Sequence, residues 1–309
     1  MRHQEELIML YKAKGMVVGS FTGDSLALGA HLIFSTERIV RQFGRIEGLI
    51  QPHKNSYHKT KCKGEFTNCG DQAFVLLESL ASCRVFDIND FSSRWKDSFF
   101  EYKGYVDQAM RGTLQNLALE KSPLETGSTV NDFSGAARIA PLVYFMRNDL
   151  DALVDASRLQ TAMTHGNALT IEVSEFFSRV CFQILNGSTP TNAIWEITGE
   201  HFTDTRISTW VKEGYASREK DSIEAIMAFG QNGSVQETFP GVIHLIMKYE
   251  QDIREAMIQA VMAGGESASR AMIVGMVLGC SLGMDGIPGQ WVDDLKKGKE
   301  IIDLLDQIG

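Results

Sequence analysis

Apolar residues recur along this chain at spacings of three and four, and almost nowhere at a spacing of two. Leu150, Leu153, Val154 and Ser157 share one helical face, as do Phe176, Phe177, Val180 and Ile184. From Ile171 to Leu185 the apolar positions cover more than half the helical circumference, which predicts a central helix. The run Ala73-Phe74-Val75-Leu76-Leu77, continued by Glu78-Ser79-Leu80-Ala81, predicts a second, mostly buried one. Ser122-Pro123-Leu124-Glu125 has the layout of a capped helix start, and Thr189-Pro190-Thr191 repeats the style. The pattern predicts ten or more helices and no strand, an all-α fold.

No Gly/Ser-rich or Pro-rich linker interrupts the pattern, so residues 1–309 are expected to form a single domain. The longest irregular stretches, about 44–70, 126–133 and 230–238, are short enough to be functional loops. No fixed-period repeat is present, which argues against a helical solenoid. Ala271, Gly275, Gly279 and Gly283 place small residues on one stripe of a late helix, where another backbone can approach closely. That helix draws the preceding turn, Gly264 to Ser269, toward the interior.

With 44% hydrophobic and 22% charged residues, the composition is that of an ordinary globular protein. A net charge of −9 offers no basic surface to nucleic acid or anionic lipid. No segment approaches the ~20 apolar residues of a membrane span, and the first residues begin an amphipathic helix rather than a signal peptide. Five cysteines without a CxxC pair point to free thiols in a reducing, cytoplasmic setting.

Candidate chemistry lies where polar residues break apolar context. The stretch Gly64-Glu65-Phe66-Thr67-Asn68-Cys69-Gly70-Asp71-Gln72 feeds directly into a buried helix, an arrangement that either caps the helix or holds side chains in a cleft. Asp24 sits among Val17, Val18, Phe21, Leu26 and Leu28 and needs partners if buried. Glu266 precedes the small-residue helix.

These breaks also carry a resemblance. Gly23-Asp24-Ser25-Leu26-Ala27-Leu28-Gly29-Ala30-His31 resembles the GDALGxxxE turn of the ADP-ribosylglycohydrolase family, and the Gly64–Gln72 stretch falls where that family has T-D-D-T. Gly264-Gly265-Glu266-Ser267-Ala268-Ser269 is similar to its G-G-D-T-D-T. Asn131 to Leu142 resembles its N-G-A-x-M-R-x-A-P-L helix start, and Met163-Thr164-His165 its T-H segment. Five motifs in family order span about residues 12–290. The resemblance implies an orthogonal all-α bundle, and a central cleft where two magnesium ions bind ADP-ribose hydroxyls and a hydrolytic water.

The chain departs from the family at most ligand positions. Thr67 matches the first threonine, but Asn68 and Cys69 replace two aspartates and Gly70 the second threonine. Glu266, Ala268 and Ser269 stand for aspartate, aspartate and threonine, and His31 for the glutamate after Asp24. Magnesium prefers hard oxygens, and two adjacent dications repel unless surrounded by negative charge. What remains of a magnesium set is Thr67, Asp71, Glu266 and Ser269, too few anions for two ions. His31 and Cys69 would suit zinc better, without a recognised zinc spacing. Cys69 as a nucleophile would need a base such as His31 and an electropositive pocket.

By this resemblance Asp24, His31, Asp71 and Glu266 are expected around the scissile bond of an active member. Asn131, Gly135 and Arg138 would lie at the phosphates, and His165 at the ligand. The expected partner is an ADP-ribose-type small molecule or an ADP-ribosylated protein, with hydrolysis reduced, altered or lost. The competing expectation is a structural role like that of lens crystallins of the same fold.

Overall fold

A computed structural model describes residues 2–309 of the chain. Among the described residues all regular elements are helical, as the spacing predicts, and strand-like pairing is limited to two isolated bridges. The frame is a pair of helices, Arg2–Ala27 and Ser267–Leu282, packed along most of their length. The Ala271–Gly283 stripe meets a matching one on the first helix, formed by Gly15, Gly19 and Gly23. A Cβ on Gly19 would stand 2.3 Å from the Gly275 carbonyl oxygen, and one on Gly275 would stand 2.2 Å from that of Gly19. Backbone therefore touches backbone, and no flexible side chain is available to yield.

Ala168–Leu185, Val235–Lys248 and Ile253–Met262 pack against the Ser267 helix. Phe176 and Phe177 of the first of these meet Phe239 of the second at ring separations of 5.2 and 5.4 Å. Helix starts follow the side-chain capping logic of the sequence. Thr189 caps Pro190–His201, Asp149 caps Leu150–Thr164 and Thr67 caps Asn68–Cys83.

One helix start does not materialise. Ser122 to Glu125 makes a single turn, with Glu125 N–H donating to the Ser122 carbonyl and Ser122 Oγ donating to the Glu125 carboxylate. The chain cannot continue as a helix because Thr126 donates to the Met163 carbonyl (2.7 Å) and Ser128 bridges to His165. Those contacts pull residues 126–128 straight across the end of Leu150–Thr164.

Two connections shape the centre. The first helix ends at Ala27, and Leu32 and Ile33 exchange backbone hydrogen bonds of 2.8 Å with Gly265. Gly264 and Gly265 both adopt left-handed φ (+69° and +67°), which lets the chain turn sharply there into the Ser267 helix. The second connection is the segment between Phe43 and Asn68, whose His58 is wholly enclosed.

Gly275→Ala is expected to destabilise the protein by roughly 1–3 kcal/mol, because overpacking outweighs the helix-propensity gain of alanine. Urea denaturation checks this; a variant as stable as the parent would mean the two helices can separate at no cost.

Candidate functional site

The site is assembled from chain ends that the helix pair brings together. Asp24, in the last turns of the first helix, is fully buried. Its Oδ1 accepts from Thr67 Oγ1 (2.5 Å) and Gly70 N–H (3.1 Å), and its Oδ2 from Thr67 N–H (2.7 Å). The carboxylate thus docks the first helix onto the N-terminus of Asn68–Cys83. Burial raises its pKa to about 6 despite the opposing Thr67 hydrogen bonds. A Cβ on Gly70 would lie 2.4 Å from Asp24 Oδ2, so the glycine is required by the carboxylate beside it.

His31 follows on the turn after that helix. Its Nε2 lies 3.0 Å from Glu266 Oε1 and its Nδ1 lies 2.7 Å from His58 Nε2. Burial first, with the neighbouring His31 and the Lys61 charge adding to it, pushes the pKa of His58 down to about 2, so this ring is neutral. His58 Nδ1 has no partner. A buried N–H without an acceptor is avoided if His58 donates through Nε2 and His31 donates through Nε2 to Glu266. Glu266 also takes the Ser269 hydroxyl. Burial alone would raise its pKa; the hydrogen bonds from His31 and Ser269 and the Arg270 charge together hold it below the ordinary value.

A cavity of about 130 Å³ opens beside this chain of groups, lined by His31, Asn68, Cys69, Tyr105, Asp107, Asp132, Ser134, Asn232, Gly233 and Glu266 among others. Asp107 caps the helix Gln108–Ala118 by accepting from Met110 N–H (2.7 Å) and also takes Asn68 Nδ2 (2.6 Å). Burial raises its pKa, offset in part by Met110 N–H and the Arg138 charge. Asp132 accepts from Ser134 N–H (2.8 Å), and burial, then repulsion from Glu266 and Asp107, pushes its pKa up to about 7. Cys69 stays a thiol: burial comes first, and the negative charges of Glu266, Asp24, Asp107 and Asp132 push the same way.

The expected residues divide accordingly. Of Asp24, His31, Asp71 and Glu266, the structure brings His31 and Glu266 to the cavity. Asp24 stands behind the wall, and Asp71 is paired with Lys61 (2.5 Å) and Tyr102, anchoring the His58 segment. Thr67 and Ser269 lie outside the lining, each bonded within the protein. Arg138 is turned inward, with Nη1 donating to Gln72 Oε1 (2.6 Å) and Nη2 to Thr164 Oγ1 (2.5 Å). Burial lowers its pKa to about 10, so it keeps its charge. His165, held neutral by burial and by Arg138, sits between Thr164 Oγ1 (2.8 Å) and Ser134 Oγ (3.4 Å). Gly135 lets that imidazole approach, since a Cβ there would lie 2.6 Å from His165 Cγ. Asn131 bonds Gln236 and Val235 N–H at the start of Val235–Lys248.

Sequence reading missed Asp107, Asp132, Tyr105 and the Asn232-Gly233 pair as cavity residues. Asp107 reads locally as a helix cap, and Asp132 was hidden beside the Asn131 motif. No group of three or more His, Cys, Asp or Glu side chains arranged to hold a metal ion occurs among the described residues. No described helix is long and apolar enough to cross a membrane.

The all-helical frame places the chain in a class of known proteins. The sequence profile of the ADP-ribosylglycohydrolase family matches residues 6–309, and the chain belongs to that family. It is 23% identical over 318 residues to crystallin J1A of Tripedalia cystophora, covering 96% of each chain. To crystallin J1B of the same animal it is 22% identical, again covering 96% of each. Among solved structures, an ADP-ribosylglycohydrolase-related protein complex superposes with a TM-score of 0.76 at 21% identity, over 97% of both chains.

Two predictions arise here. Asp24→Ala leaves the Thr67 and Gly70 N–H groups buried without an acceptor, and a loss of at least roughly 1–3 kcal/mol is expected on urea unfolding. For Asp132 the folded pKa lies above the unfolded one, so its contribution favours the fold at low pH and is lost as pH rises through about 7. Asp132→Asn should therefore gain stability relative to the parent between pH 4 and about 7, measured as the difference in Tm.

Proposed function

We propose that this protein is a cytoplasmic ADP-ribosylglycohydrolase-like protein whose pocket no longer holds a magnesium pair and whose hydrolytic activity is lost. The observation that carries this reading is the buried hydrogen-bonded row His58, His31, Glu266, Ser269 at the place where the family keeps carboxylate ligands. A dinuclear magnesium centre needs several free, hard, anionic oxygens in near-octahedral geometry. Here Thr67 Oγ1 is bound to Asp24 and caps Cys69 N–H, and Asn68 and Cys69 offer an amide and a thiol. Glu266 is held by His31 and Ser269, and Asp71 is neutralised by Lys61 away from the cavity. The residues present do not fit the metal pair. The five free cysteines support a reducing compartment.

The ligand in this reading is of ADP-ribose type, free or on a modified protein. At about 130 Å³ the cavity is below the ~300–1,000 Å³ of sites that enclose a whole drug-sized ligand. One sugar would enter it, with the remainder over the loops around Asn131 and Asn232. With Arg138 engaged internally, the phosphates would rest on the backbone N–H groups of Thr129, Asn131 and Asp132, since those of Ser128, Val130 and Phe133 are already bonded.

A structural role is the second reading, favoured by the full-length likeness to two crystallins and by how many of the motif side chains are bonded to one another. Thermal unfolding separates the two. ADP-ribose at a hundredfold excess over Kd should stabilise a binder by about 2.7 kcal/mol, whereas a purely structural protein shows no shift. In both cases Tm should be unchanged by magnesium and ADP-ribosyl conjugates should survive incubation. Magnesium-stimulated release of ADP-ribose would overturn the proposal.

A further inference from the structure

The chain contains two Asn-Gly dipeptides, Asn186-Gly187 and Asn232-Gly233. Asparagine is a thermolabile residue, and it is least durable before glycine, whose backbone nitrogen no side chain shields. That nitrogen attacks the side-chain carbonyl carbon and closes a cyclic imide. The amide C–N bond breaks as the new one forms, and the proton lost from the glycine nitrogen leaves with ammonia. Water then opens the imide at one carbonyl or the other, giving aspartate or its β-linked isomer, isoaspartate. Water is the only other reactant, so neither an enzyme nor an oxidant is required.

The fold treats the two dipeptides differently. Asn186 closes the helix Ala168–Leu185, and its Nδ2 donates to the Phe182 carbonyl (2.9 Å). Gly187 N–H, the group that would attack, donates to the Ile184 carbonyl (3.0 Å). Both reacting groups are thus tied to the helix end. Asn232 is exposed, and neither its side-chain amide nor the Gly233 N–H makes a hydrogen bond among the described residues. The atoms around them are held instead. Asn232 N–H donates to Glu237 Oε2 (3.0 Å), and Phe133 N–H donates to the Gly233 carbonyl (2.7 Å). Thr238 Oγ1 donates to the Asn232 carbonyl (3.3 Å), which draws electron density from that peptide and makes its N–H easier to deprotonate. The glycine also serves the cavity, because a Cβ there would crowd Glu266 Cγ at 3.0 Å.

We propose that Asn232 is a site of spontaneous covalent modification, converting with time to aspartate and isoaspartate in the wall of the cavity. Either product puts a carboxylate at a position that lines the cavity together with Asp132 and Glu266. Isoaspartate also adds a methylene to the main chain next to Gly233, which strains the bond from Phe133 that ties this loop to the Asn131 segment. The pocket therefore grows more acidic as the molecule ages. The inference does not depend on which ligand the cavity takes.

The test is incubation of the full chain at neutral pH, folded and in guanidinium chloride, followed by peptide mapping with mass spectrometry. Incubation lasts until half the Asn-Gly bonds of the unfolded sample have converted. The tryptic peptide Asp221–Lys248 contains no other asparagine, so conversion of an asparagine in it reports position 232. In the folded protein Asn232 should convert at least about tenfold faster than Asn186, and unfolding should remove the difference. Asn232→Gln, whose longer side chain closes a ring far more slowly, should leave that peptide unchanged. Equal rates at the two positions in the folded protein would overturn the proposal. So would an intact Asn232 at the end of the incubation, a ratio undiminished by unfolding, or a mass gain that persists in Asn232→Gln and so belongs to Gln231 or Gln236.

Discussion

The contact between the backbones of Gly19 and Gly275 governs what the rest of the molecule can do. Glycine on both helices lets the carbonyl oxygen of one reach the Cα of the other, and the two axes are locked side by side. At one end of that pair the first helix carries Asp24 in its last turns and leads into His31, and Glu266 caps the start of the second. A hydrogen bond between residues 235 positions apart is therefore a product of helix packing, with the glycines setting the distance.

Inside that frame the polar groups are mostly used up on each other. Asp24 holds three donors of the Asn68 helix start, Asp71 holds Lys61 and Tyr102, and Arg138 holds Gln72 and Thr164. Buried polar groups that satisfy one another rigidify a protein and leave little to offer a ligand. The exception is the cavity wall at Asp132, whose Oδ2 accepts no hydrogen bond among the described residues and whose neighbours Glu266 and Asp107 are also acidic. The chemistry of the pocket is thus set as much by what its neighbours have already bound as by the residues that line it.

Much of the frame was legible in the sequence. The three-four spacing gave the helices, and the turn residues gave most of their starts. The stripe of small residues announced a close helix contact, although its partner stripe lay hidden in Gly15, Gly19 and Gly23, where each glycine is unremarkable locally. The Ser122 turn misled because its capping pattern is real but its continuation is overridden by long-range bonds from Thr126 and Ser128. At the pocket, motif order located His31 and Glu266, which are polar residues in apolar surroundings. Asp107 and Asp132 gave no such signal, because each does an ordinary local job at a helix start and turns toward the cavity only through tertiary packing.

Gly70 also bears on whether this pocket could be converted back to the family's usual chemistry. The T-D-D-T pattern that the Thr67 stretch resembles ends in a second threonine, yet here the space any side chain at position 70 would need is filled by an Asp24 oxygen. Restoring the acidic residues at positions 68 and 69 would not by itself rebuild the motif. Threonine at position 70 would force the Asp24 carboxylate out, and with it the docking of the first helix. Positions 24 and 70 are therefore coupled in this chain: a side chain at the second requires the carboxylate at the first to move.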